Sequence, residues 1–168
     1  EGAVYLADVG NHRVQRLGPS GAAERQWGFA AGITDEWSRP GRTHYVSGVA
    51  PGTGAGEFVT PLDVELIPGR EADGFAVLDA AGRVQIFDAE GQGVIGWTVE
   101  HESRLDPGVG GEGYLAYSER RDRLFVILGR DFVGYTLDGE EVARAVLEDG
   151  TPNAVEMAPR GYLLMAYG

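Results

Sequence analysis

At 168 residues, with 43% hydrophobic and 24% charged side chains, the chain holds enough apolar material for one packed domain. Its 26 acidic residues outweigh 14 basic ones, all of them arginine, and the net charge of -12 argues against a basic face for nucleic acid. Cysteine is absent, which excludes disulfides, thiolate metal sites and a cysteine nucleophile.

The first predicted unit is three strands, near 3–8, 12–17 and 22–28, joined by turns rich in glycine and small polar residues. Four polar residues, Asp8, Asn11, His12 and Arg13, crowd into the first turn. The Asp8 carboxylate is expected to accept backbone N–H bonds from the turn, Asn11 to tolerate a left-handed conformation, and Arg13 to reach an acidic group on a neighbouring unit.

Between Trp27 and Pro61 the pattern is interrupted by "GFAAGITDEWSRPGRTHYVSGVAPGTGAGEF". Its portion at 29–51 reads as an inserted loop, and Trp37, Arg39, Arg42, His44 and Tyr45 give it the groups that anchor protein contacts or stack on sugars. The alternative is a loop that merely caps the preceding strands.

The second unit, at 52–100, carries four predicted strands near 62–67, 74–79, 83–88 and 92–99. Its stretch "FAVLDAAGRVQIFDAEGQGVIGW" aligns with "VYLADVGNHRVQRLGPSGAAERQW" of the first unit, so that Asp79 matches Asp8, Arg83 matches Arg13 and Trp97 matches Trp27. Because Asp79 and Arg83 recur without Asn or His, Asp8, Asn11, Arg13, Asp79 and Arg83 are read as parts of a structural turn. The opening strand, "TPLDVEL", places Leu62, Val64 and Leu66 on one face, with Asp63 and Glu65 on the other.

A looser third unit at 111–148 has strands near 113–118, 123–128, 131–137 and 141–147, with Arg120, Arg121 and Arg123 in a turn read as solvated. A partial fourth unit at 151–168 has strands near 153–158 and 161–167, and its "TPNAVEM" lies over "TPLDVEL", which aligns Glu156 with Glu65. The prediction is therefore an all-β chain of four-stranded antiparallel blades, a β-propeller of about three to three and a half blades, with the first (1–28) and last (151–168) incomplete. Blades of this kind need neighbours. The rest of the ring is expected from further blades of the same polypeptide or from a second copy.

Opening strands of blades line the central channel, so Asp63, Glu65 and Glu156 are candidates for an acidic ring holding a divalent cation such as calcium. The competing expectation is that Glu65 and Glu156 pair with the repeated arginines, with no cofactor.

The stretch "VYLADVGNHRVQRL" resembles the NHL repeat, here in an Asn-His-Arg-Val form, and "GTGAGEFVTPLDVEL" is similar to that family's linker into the next blade. The resemblance implies a propeller, usually six-bladed. It also implies two classes of function. The first is a non-catalytic scaffold that presents loops to a protein or glycan, within a larger bacterial extracytoplasmic or envelope protein. The second is a metal-dependent lyase or lactone hydrolase with its site at the channel mouth. The three histidines, at 12, 44 and 101, are few for the second class. The family's nucleic-acid-binding members need a basic face that is missing here.

Overall fold

The computed structural model describes residues 2–28, 51–69, 74–101 and 112–168. Within them the chain forms four antiparallel sheets of three, four, four and two strands. Sheet 1 is β1 (Val4–Asp8), β2 (Arg13–Leu17) and β3 (Ala23–Gly28). Sheet 2 is β4 (Pro61–Ile67), β5 (Gly74–Asp79), β6 (Arg83–Phe87) and β7 (Gly93–Thr98). Sheet 3 is β8 (Gly113–Ser118), β9 (Arg123–Leu128), β10 (Asp131–Tyr135) and β11 (Glu141–Val146). Sheet 4 is the pair β12 (Ala154–Met157) and β13 (Leu163–Ala166). One turn of 3-10 helix, Val9–Asn11, joins β1 to β2, and no α-helix occurs among the described residues.

Each sheet is a meander whose strands pair in chain order. Contacts between sheets run through β1 with β4, β4 with β8, and β8 with β12. These strands are therefore the inner members of a propeller-like arrangement. In sheets 2 and 3 the strand nearest the axis is the first of four. In sheet 1 β1 corresponds to the second, because its Val4–Asp8 aligns with Phe75–Asp79 of β5.

Two apolar clusters hold the sheets together. Ala76, Leu78, Val84 and Ile86 of sheet 2 meet Leu115, Leu124, Val126 and Leu128 of sheet 3. On the opposite face of sheet 2, Phe75, Val77 and Phe87 meet Val14 of sheet 1, with Tyr5 and Trp27 packed alongside. Every residue of β5 is buried, as expected of a strand covered on both faces. Phe58, just ahead of β4, is fully enclosed in the second cluster, and its ring stands 6.1 Å from that of Phe87.

The outermost strands repeat one device. The Trp27 indole donates to the Gly91 carbonyl at 2.8 Å, and a Cβ on Gly91 would meet its ring at 2.3 Å. Trp97 lies against Gly139 in the same way, where an added Cβ would stand 3.0 Å from the ring. Gly91 (φ 75°) and Gly139 (φ 84°) are thus required twice, by the left-handed backbone of a tight turn and by the indole of the preceding sheet.

β4 carries a bulge between Pro61 and Asp63, where register passes from Pro61↔Asp79 to Asp63↔Leu78. The bulge overturns the expected alternation. Leu62 packs on the cluster shared with sheet 3, whereas Val64 packs on the cluster shared with sheet 1.

Candidate functional site: the inner strands and their cavity

A cavity of about 970 Å³ opens where the inner strands converge, lined by Val4, Glu65, Leu66, Tyr117, Glu119 and Glu156 among others. Its chemistry is set by how the carboxylates of β4 are used. Asp63 accepts the Leu115 N–H through Oδ2 at 2.7 Å and its neighbour Val64 N–H through Oδ1 at 2.8 Å. Glu65 accepts the Tyr117 N–H at 2.8 Å. Both acceptors reach across to β8 of the next sheet. The inner edge of β8 has no strand to receive its N–H groups, and an unpaired buried N–H is costly, so the two carboxylates close that edge. Acids at i and i+2 meet amides at i and i+2 because both strands repeat every two residues.

This placement has an electrostatic cost. Burial, opposed by the Tyr117 N–H and reinforced by the charges of Asp63 and Glu156, pushes Glu65 up to about 7. Asp63 is also raised by burial, against the pull of the Leu115 and Val64 amides.

The expected pairing of Glu65 and Glu156 with the repeated arginines is replaced by this arrangement. Among the described residues neither makes an ion pair, and Glu156, in the register of Glu65 on β12, accepts no hydrogen bond. No group of three or more His, Asp or Glu side chains is placed to hold a metal ion among the described residues.

The turn residues also differ from expectation in detail. Asp8 accepts the side-chain amide of Asn11 at 2.8 and 2.9 Å rather than backbone amides of the turn. His12, not Asn11, takes the left-handed conformation, with φ 50°. Arg13 stays within its own sheet, bonding Asp8 at 2.7 Å and Gln26 at 2.9 Å. His12 crosses to the next sheet instead: its Nδ1 accepts the Thr60 N–H at 3.0 Å and stands 3.2 Å from the Thr60 hydroxyl. That double contact holds Thr60 at φ 56°, an uncommon conformation for a β-branched residue.

In the second sheet Asp79 does bind its own turn, accepting from Ala81 N–H at 3.0 Å and Arg83 N–H at 3.1 Å, and it pairs with Arg83 at 3.1 Å. Arg121, placed by sequence in a solvated turn, donates to the Gly161 carbonyl at 2.9 Å and ties sheet 3 to sheet 4. The loop candidates Trp37, Arg39, Arg42, His44 and Tyr45 lie outside the described residues.

Three comparisons bear on this geometry. No protein-family model matches the chain, and no curated protein matches its sequence. Among solved structures, the chain is similar to BBS1N as it stands in the crystal structure of BBS1N in complex with ARL6DN. The TM-score is 0.55 at 13% identity, over 96% of this chain and 45% of that one. The likeness is one of fold. The chain spans under half the length of the BBS1N chain it matches.

Proposed function

We propose that the chain is a non-catalytic binding module, one part of an NHL-type propeller of about six blades, that presents the channel mouth and the inserted 29–51 segment to a protein partner. The reading is carried by the fold likeness to BBS1N, a chain captured with a protein partner. The commitment of Asp63 and Glu65 to backbone amides supports it further, since those carboxylates then serve the packing of sheets rather than substrate chemistry. Glu119 and Glu156 at the mouth favour a partner that is basic where it meets the cavity. Trp37 and Tyr45 would supply the aromatic anchors.

The test is cross-linking from a photoreactive residue at Leu66, with mass spectrometry of the captured protein, in the parent chain and in a Trp37→Ala/Tyr45→Ala variant. The double variant is expected to keep its melting temperature and lose the cross-linked partner. A large fall in melting temperature would show that the aromatics pack internally, and would remove the inserted segment from the interface.

A further inference from the structure

Arginine supplies every basic residue of this acidic chain, and nearly all the described arginines are engaged. Arg13, Arg16, Arg83 and Arg144 pair with carboxylates. Arg25, Arg121, Arg123 and Arg130 donate to backbone carbonyls. Of the described arginines, only Arg120 and Arg160 have neither an ion pair nor a hydrogen bond.

Those two meet at one corner between sheets 3 and 4. Arg160 precedes Gly161 in the turn that joins β12 to β13, and a Cβ built on Gly161 would stand 3.7 Å from Arg120 Cδ. The same point lies 3.8 Å from Ser118 Oγ. Ser118 ends β8, is 1% exposed, and its hydroxyl has no hydrogen-bond partner, which is costly for a buried polar group. Arg121 clamps the corner by donating to the Gly161 carbonyl at 2.9 Å. Ser118, Arg120 and Gly161 all belong to the cavity wall. Two acids share these turns: Asp122 accepts the Tyr117 hydroxyl at 2.8 Å, and Glu119 is exposed. Arg120, Arg121 and Arg160 outnumber them, so the corner is locally positive on a chain of net charge -12. It is framed by two turns and owes nothing to an unpaired sheet edge.

We propose that Arg120, Arg160 and Ser118 form a binding site for a phosphate group. A dianionic phosphate offers oxygens to both guanidiniums and to the hydroxyl, and its double charge competes better than a carboxylate against the repulsion of Glu119. The hydroxyl is sealed in the free chain, so binding includes a shift of the Arg120 side chain, which no partner holds in place. This inference does not rest on the protein partner proposed above, whose basic group would meet Glu119 and Glu156 instead.

A free phosphate and a phosphorylated side chain share this chemistry, and a titration followed by NMR separates them. The probes for the 168-residue chain are inorganic phosphate, a phosphoserine peptide of otherwise neutral sequence, and the same peptide without phosphate. Saturable shifts are expected at the amides of 118–121 and 160–161. Equal affinity for the two phosphates assigns a small phosphate ligand, and tighter binding of the phosphopeptide assigns a modified protein. Arg120→Gln and Arg160→Gln should each weaken binding roughly tenfold. Ser118→Ala should weaken it roughly three- to tenfold without lowering the melting temperature, because it breaks no hydrogen bond in the free chain. Glu119→Gln should tighten it. Arg123→Gln changes net charge equally but removes a guanidinium already bonded to the Asp122 carbonyl, and should leave affinity nearly unchanged. The proposal is overturned if neither phosphate probe saturates, if the unphosphorylated peptide binds as tightly, if Arg123→Gln costs as much as Arg120→Gln, or if Ser118→Ala lowers the melting temperature.

Discussion

Replacing Glu65 with Gln tests whether the inner carboxylates are backbone caps held at an electrostatic cost. Burial is the main cause that lifts Glu65 from 4.5 to about 7, and the nearby charges of Asp63 and Glu156 add to it. The folded chain thus holds this proton more tightly than the unfolded chain. Its contribution to stability is fully present below about pH 4.5 and is lost as pH rises through 7. At about 1.4 kcal/mol per pH unit the ceiling is about 3 kcal/mol, and screening of a half-buried group beside an open cavity reduces it to roughly 1–2 kcal/mol. Gln is neutral at every pH and its carbonyl can still accept the Tyr117 N–H. Urea denaturation followed by tryptophan fluorescence at pH 5 and pH 8 provides the measurement. Glu65→Gln should be the more stable protein at pH 8 by roughly 1–2 kcal/mol and close to the parent at pH 5. Asp63, raised in the same direction chiefly by burial, is present in both proteins, so the difference reports Glu65 together with its repulsion from Asp63. A stability difference that stays constant across this pH range would refute the reasoning.

Two further outcomes follow from the packing and the donor set. Phe58→Ala empties a fully buried site between sheets 1 and 2 and should lower stability by about 3–4 kcal/mol, read as a reduced urea midpoint with little change in slope. Calcium followed by chelator should leave the melting temperature unmoved, because Asp63 and Glu65 already accept backbone amides; a calcium-dependent rise that chelator abolishes would restore the acidic-ring reading.

Strand positions were legible because each blade strand is short, apolar and bounded by glycine-containing turns. The Arg-Val-Gln repeat at 13–15 and 83–85 marks equivalent stations of β2 and β6, and the paired tryptophans mark the outer strands. What the sequence concealed were contacts between sheets. Strand alternation gave Leu62 the face of Val64, but a bulge at Pro61–Asp63 turned it over, and nothing in a single sequence announces that insertion. His12 looked like a lone turn histidine. Its role depends on Thr60, 48 residues away, whose backbone amide carries no sequence signature. The repeated arginines suggested partners for Glu65 because charge is readable in sequence. An acceptor for a bare N–H is not, although the two-residue spacing of Asp63 and Glu65 was the available clue.

That spacing explains why an acidic channel need not be a metal site. An inner strand has a ladder on one edge only, so its remaining amides need acceptors that another strand is not there to supply. A carboxylate is well suited to this, since it accepts without donating and can bond two amides, as Asp63 does with Val64 and Leu115. Arginine in the same position would offer only donors to donors. Asp63 and Glu65 on the inner strand therefore suit the geometry of these packed sheets, and the burial that raises Glu65 is the electrostatic cost of keeping it there. The groups along this cavity that those backbone contacts leave unused are Glu119 and Glu156 on the acidic side and Val4 and Leu66 on the apolar side.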